Sequence, residues 1–339
     1  MAALKAAATP PRAQLNRCEP FVVTPSLCGH AIRPLPRARR LLVGFAFGFE
    51  ADTLEIHLEE TRGLADVLIA ESSQPHNPFF RKLNSKPLIW TDHLQHSARF
   101  RRFSRAAGGH VQSVVCVGRA RSDSPWAAEL QQDGCLNEAI KQRSDRYDVV
   151  IVGSADEILA RSALARLAFC PLPQLPTSSA IGMSTGLLGQ AYFADHHFPS
   201  RPWTHSLPTV YDPRQPGTAF VRRFHALPNP PIVGGFHLTR YCFLPYTILK
   251  EMTATEMDNS MTPAHVCARS PAWHKQICPK KGLRVRNLTS ADAETLVVPC
   301  ALAHSAARFP SWHGRLDPRE TRMWHALCNQ IRPRQRSQE

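Results

Sequence analysis

The chain has 339 residues, of which 43% are hydrophobic and 8% aromatic, and a formal net charge of +14. That length buries a substantial core and allows one large domain or two ordinary ones, and the apolar fraction excludes disorder throughout. The positive charge attracts polyanions without naming one, and no run reaches the roughly 18 to 20 apolar residues that a membrane-spanning helix needs.

Residues 1–40 read as a disordered leader, because Pro and Arg dominate and no helix or strand period appears. Part of the excess charge sits there, in "RPLPRARR" (33–40), and part at the other end, in "RPRQRSQE" (332–339). The Ala- and Arg-rich start is compatible with a transit peptide, but its apolar run is too short for a secretory signal core. The folded part opens at "LLVGFAFGF" (41–49), an apolar run of buried-strand length. The following "EADTLEIHLEETRGL" predicts a helix, with Leu54 and Leu58 on one face and Asp52 and Glu55 at capping-box spacing.

"ADVLIAESS" (65–73) predicts a second strand, and Pro75, Asn77 and Pro78 mark the loop after it. A helix is expected near 91–105. Its segment "ARFRRFSR" (98–105) has two readings: a nucleic-acid contact through interleaved Arg and Phe, or Phe100 and Phe103 packed in the core with solvated arginines. The second is preferred, and no nucleic-acid partner is expected. "HVQSVVCVG" (110–118) is a strand candidate, and Trp126 to Arg143 predicts a helix with Leu136, Ala139 and Ile140 at i, i+3 and i+4. "YDVVIVG" (147–153) supplies a further strand.

Continuous apolar strands separated by helices require a sheet covered on both faces, which is an α/β layout with mostly parallel strands. Functional groups in such sheets gather at the carboxyl ends of strands, where Glu50, Glu71 and the pair Asp156/Glu157 fall. After about 170 the prolines multiply, and "STGLLGQAYFADHHF" and "PPIVGGFHLTRYCF" suggest strands and loops instead of further βαβ units.

Two adjacent carboxylates after a strand suit Mg²⁺ or Mn²⁺ carrying a diphosphate. The competing reading is structural: Ser154 and Glu157 have capping-box spacing, so the acids would begin a helix "EILARSALARLAF". No glycine-rich phosphate loop, dinucleotide fingerprint or G-x-S-x-G elbow is present. His196 and His197 read as a loop feature, whereas His237, in "GGFHLTR", follows two glycines that permit close approach of a ligand. Ten cysteines occur without a C-x-x-C pair, so zinc is not expected, and the spacing leaves disulfides open. The sequon Asn287-Leu288-Thr289 matters only in a secretory setting.

Taken in order, these segments resemble the β-1,4-mannosyl-glycoprotein 4-β-N-acetylglucosaminyltransferase family over residues 41–312. The matching segments are "FAFGFEADTLEIHLEE", "DVLIAESSQPH", "LNEAI" with Asn137, "VVIVGSADEI", "GGFHLTRYCF" and "VVPCALAHSAARFP". The resemblance implies a GT-A-like domain over 41–315, followed by a C-terminal helix and basic tail over 316–339. It implies an inverting transfer of N-acetylglucosamine from UDP-N-acetylglucosamine to a mannose of a glycan acceptor, with Mn²⁺ or Mg²⁺. Asp156 and Glu157 would hold the metal-diphosphate as catalytic and metal residues. Glu50, Asp52, Glu71, Ser154 and His237 would line the nucleotide-sugar pocket. The chain departs from the family at Ser154, where the metal motif has its first aspartate, and at Val43, Gly48-Phe49 and Phe236. Two further readings keep their place: a degenerate relative that binds sugar or nucleotide without turnover, and a basic polyanion binder. Animal members of the family carry an N-terminal membrane helix, so the chain as written reads as soluble, and as Golgi-bound if a segment precedes it.

Overall fold

A computed structural model describes chiefly residues 32–73, 88–117, 125–171 and 208–215, with shorter pieces elsewhere as far as 329. Eight strands form one sheet in the order β3-β2-β1-β4-β7-β6-β8-β5. They are β1 (Leu41–Phe47), β2 (Asp66–Ser72), β3 (Val111–Cys116), β4 (Val149–Ser154), β5 (Glu157–Leu159), β6 (Ser179–Thr185), β7 (Thr209–Tyr211) and β8 (Ile232–His237). Pairing is parallel from β3 through β2 and β1 to β4, and again between β6 and β8. The antiparallel pairs are β4 with β7, β7 with β6, and β8 with β5. The sheet is mixed but mostly parallel, as an α/β protein requires.

Among the described residues the helices that cover it are α1 (Ala51–Thr61), α2 (Pro125–Lys141) and α3 (Arg161–Phe169). Alternation along the strands sends Leu41, Val43, Phe45 and Phe47 to one face, where they pack with Leu54 and Leu58 of α1 and Leu164 and Leu167 of α3. Leu42, Leu68, Val150 and Val152 turn to the other face and meet Leu136, Ala139 and Ile140 of α2. Helices therefore lie on both faces. Gly44 sets the distance of α2, because a Cβ there would come within 2.9 Å of Ile140 Cδ1. Interiors are close-packed, so a side chain added there would make Ile140 and Leu136 give way.

The helix expected over 91–105 is instead a series of short turns: a π-helical turn at Ile89–His93 and 3₁₀ turns at Leu94–His96, Arg101–Phe103 and Arg105–Ala107. Two long-range demands override the local period. Phe100 and Phe103 are fully buried, as expected, while Arg99 and Arg102 must reach the acids of α1. Gly109 then lets the chain double back, since a Cβ there would lie 2.2 Å from the Phe103 carbonyl.

The stretch read as a leader is tied to the body at its described positions. Leu35 N–H donates to the Phe169 carbonyl at 2.6 Å and Arg39 N–H to the Ala168 carbonyl at 2.8 Å. The Arg39 guanidinium donates to the carbonyls of Leu167 and Cys170, so it caps the C-terminus of α3. Among the described residues four disulfides, left open by the spacing, join Cys18 to Cys300, Cys28 to Cys170, Cys116 to Cys135 and Cys267 to Cys328. Bridges in this number form and persist in oxidising compartments. Among the described residues no helix is long and apolar enough to cross a membrane. The described positions between 319 and 329 are helical, and His196, His197 and Asn287 lie outside the described residues.

Candidate functional site

The strand order places a topological switch between β1 and β4. From β1 the chain moves outward to β2 and β3, then returns to the opposite side of β1 for β4. Connections leaving β1 and β4 thus diverge at their carboxyl ends, and the crevice between them is where open α/β sheets take ligands. Ser154, Asp156 and Glu157 stand at the β4 end of that crevice.

The two acids do not begin a helix. Ala155 and Asp156 form a turn, and Glu157 opens β5, which pairs with β8; α3 starts only at Arg161. The capping-box expectation is corrected by this long-range pairing, which claims Glu157–Leu159 as strand. One arm of a capping box survives inside the turn: the Ser154 N–H donates to Glu157 Oε2 at 2.8 Å. The Ser154 hydroxyl donates to Asp156 Oδ1. Both carboxylates are thereby drawn to one serine. Gly153 makes this possible, because a Cβ there would sit 3.1 Å from Glu157 Oε2 and 3.3 Å from Pro208 Cγ. Asp156 is 6% exposed and Glu157 1%. Glu157 is opposite His237 in the β5–β8 register, and the side chain of His237 lies outside the described residues.

Under the turn sits His57 of α1. Its ring stacks on Phe45 of β1 at 4.4 Å between centroids, and its Nδ1 lies 3.1 Å from the Ala155 carbonyl oxygen. Burial pushes its pKa down to about 4, so the ring is neutral at pH 7, and a neutral imidazole facing a carbonyl carries its proton on Nδ1.

Every residue of α1 is buried, acids included. Their charge is answered by arginines from distant segments. Arg99 donates to Asp52 and Glu55, Arg102 to Glu55 and Glu59, Arg308 to Glu55, and Arg319 to Asp52. For Asp52, burial raises the pKa, but Arg99 and Arg319 outweigh it and hold the carboxyl below its ordinary value. Asp52, expected to face a nucleotide-sugar, is engaged in this ion-pair cluster. Glu71, expected beside it, accepts hydrogen bonds from Trp90 N–H at 2.6 Å, Thr91 N–H at 2.8 Å and the Thr91 hydroxyl at 2.7 Å. It caps the turn at Ile89–His93. Glu50 is half-buried at the N-cap position of α1 and makes no side-chain capping bond. Of the expected residues, the fold brings together Ser154, Asp156 and Glu157, with His237 adjacent in register.

Sequence reading missed His57, Gln132 and the arginines. The Gln132 side chain donates to the carbonyls of Ala70 at 2.7 Å and Phe47 at 3.4 Å, bracing the carboxyl ends of β2 and β1. A signal for the arginines was present: Arg99 and Arg102 are three apart, as are Asp52 and Glu55, which is the pattern of two facing helical turns. Among the described residues no three His, Cys, Asp or Glu side chains are grouped to hold a metal ion.

No protein-family model matches the chain, and no curated protein matches it significantly.

Proposed function

We propose that the chain is a GT-A-like glycosyltransferase that moves N-acetylglucosamine from UDP-N-acetylglucosamine to a mannose of a glycan acceptor, with inversion at the anomeric carbon. The observation that carries the reading is the position of Asp156, on a two-residue turn at the carboxyl end of β4, beside β1 at the switch point of a mostly parallel sheet. A nucleoside diphosphate needs its charge balanced where the sugar departs, and a carboxylate at this crevice is the group that recruits a cation for that purpose.

The donor set fits a cation held mainly by phosphate. Mg²⁺ and Mn²⁺ take hard oxygen ligands and are commonly bound through one or two carboxylates plus substrate phosphates. Asp156 and the Ser154 hydroxyl are the oxygens that would hold it. Glu157 accepts the Ser154 N–H and so keeps the turn closed. When bound, a divalent cation would offset the charge developing on the leaving diphosphate. The Ser154 hydroxyl donates to Asp156 and the Ser154 N–H to Glu157, so the two together orient the Asp156 carboxylate.

One observation favours a second reading, in which the fold binds sugar or nucleotide without turnover. Ser154 supplies a neutral hydroxyl where a second acid would strengthen the cation's hold, and it spends a proton on Asp156. Thermal melting with UDP-N-acetylglucosamine, with and without Mn²⁺, tests the proposal, because a ligand that binds only the folded state raises the midpoint once its concentration exceeds Kd. A metal-dependent rise supports the transferase. No rise in either condition removes it, and a rise without product when mannose-bearing glycans are added leaves the non-catalytic reading.

A further inference from the structure

We infer that His57 is a positioning residue of the candidate site: by donating Nδ1–H to the carbonyl of Ala155 it fixes the turn that aims Asp156. The inference rests on the transferase reading for its functional consequence, while its structural content stands on the geometry alone.

The argument starts from the backbone. Ala155 is 3% exposed and occupies the turn between β4 and β5, where its carbonyl lies outside the strand pairings. A buried carbonyl needs a donor, and leaving it without one is costly. His57 brings that donor from a different element, 98 positions away in sequence. Nothing in the turn itself could do so, because Ser154 and Asp156 are already joined to each other and Ser154 N–H is given to Glu157.

The donor is itself held firmly. Phe45, on which the imidazole stacks, is paired in register with Gly153, the residue just before Ser154. One ring therefore touches the last part of β1 and the first residues beyond β4, the two strand ends that border the crevice. Among the described residues Nε2 has no hydrogen-bond partner, which leaves Nδ1 as the only nitrogen that positions the ring. Such a residue does not touch a ligand. It determines which way the ligand-bearing carboxylate points, in the way outer residues orient metal-binding side chains.

The test uses the full oxidised chain and two readouts. The first is calorimetric titration of UDP at saturating Mn²⁺; the second is amide hydrogen exchange over 149–160, in which the Ser154 amide reports closure of the turn. His57→Leu keeps an apolar contact with Phe45 and removes the donor, whereas His57→Asn places an amide N–H near the position of Nδ1. The expected result is that His57→Leu weakens UDP binding by about 10- to 100-fold and accelerates exchange at Ser154, and that His57→Asn recovers most of both. A His57→Leu protein with wild-type affinity and wild-type exchange overturns the inference. If wild type itself fails to bind UDP with Mn²⁺, the transferase reading falls, and the exchange data still decide whether His57 holds the turn. Should His57→Leu not fold, His57→Gln replaces it: its amide reaches the place of Nε2 instead, so faster exchange than in His57→Asn supports the inference and equal exchange overturns it.

Discussion

The backbone N–H of Ser154 and the Glu157 carboxylate meet at 2.8 Å across the Ala155-Asp156 turn, while the Ser154 hydroxyl holds Asp156. One uncharged residue thus organises two acids. Replacing it with a third acid tests what the arrangement is for. Ser154→Asp puts two carboxylates in near contact, and like charges about 4 Å apart repel by roughly 4 kcal/mol at an effective dielectric of 20. The expected outcome is a melting temperature several degrees below wild type in a chelator, regained on adding Mn²⁺. Recovery with Mn²⁺ and not with monovalent salt shows a cation seat at the turn; equal melting with and without Mn²⁺ rules one out.

The acids of α1 depend on their arginines. Asp52, Glu55 and Glu59 are 0 to 4% exposed at the side chain, and Arg99 at 18% answers two of them. Removing one partner of a buried pair leaves an uncompensated charge, which costs about 3–5 kcal/mol. Arg99→Ala leaves Asp52 with Arg319 and Glu55 with Arg102 and Arg308, so it is expected to lose less than that, about 1.5–3 kcal/mol in urea unfolding. Arg105→Ala, whose partner Asp66 is 29% exposed and whose own side chain is 56% exposed, is expected to lose less than about 1 kcal/mol. The contrast checks that burial, and not the count of charges, sets the loss.

How much of this was legible depended on the range of the forces involved. β1, β2, β3 and β4 could be read because strands covered on both faces are apolar at nearly every position, and the two core faces follow from alternation. Helix α2 could be read from Leu136, Ala139 and Ile140. The turns of 89–107 could not, because they are shaped by Arg99 and Arg102 reaching α1. Glu157 was ambiguous for the same reason: local spacing offered a capping box, and pairing with β8 decided for a strand. Glu71 stands near the end of β2 and Asp52 in the first turn of α1, but their partners Thr91 and Arg319 lie 20 and 267 positions away, beyond the reach of local spacing. The cysteine pairing carried no local signal at all.

Between about pH 4 and 7, three buried groups among the described residues contribute to stability with two signs. Burial raises the Glu60 carboxyl from 4.5 to about 7, against the pull of Arg161 and of the N–H groups of Arg161 and Cys300. The folded state holds that proton when the unfolded state has lost it, so stability falls as pH rises from 4.5 to about 7. Burial lowers His57 and His110 from 6.5 to about 4, so the unfolded state binds those two protons first, and stability falls as pH drops below 6.5. Between 4.5 and 6.5 the two histidines outweigh the one glutamate, so stability rises with pH. Above 6.5 only Glu60 remains, with the opposite slope. A stability maximum near pH 6.5 is expected in urea midpoints, and Glu60→Gln is expected to flatten the alkaline side and to steepen the rise between 4.5 and 6.5, where Glu60 no longer opposes the two histidines.

The bridges differ in how much chain they close, and that orders their effects. Cys28–Cys170 spans 142 positions and Cys116–Cys135 spans 19. Loop-closure entropy assigns the first about 5 kcal/mol and the second about 3 kcal/mol, as upper values in a model that neglects residual structure in the unfolded chain. The double variant Cys28→Ser/Cys170→Ser is therefore expected to lose more stability than Cys116→Ser/Cys135→Ser, and to lose it in a different place. Without its anchor at Cys28, the segment before β1 keeps the Cys18–Cys300 bridge and, against the end of α3, the bonds of Leu35 N–H, Arg39 N–H and the Arg39 guanidinium. Amide exchange at Leu35 and Arg39 should rise in the first variant and stay at its wild-type rate in the second. Equal exchange in both would mean that the Arg39 cap, and not the disulfide, holds the N-terminal stretch against the body.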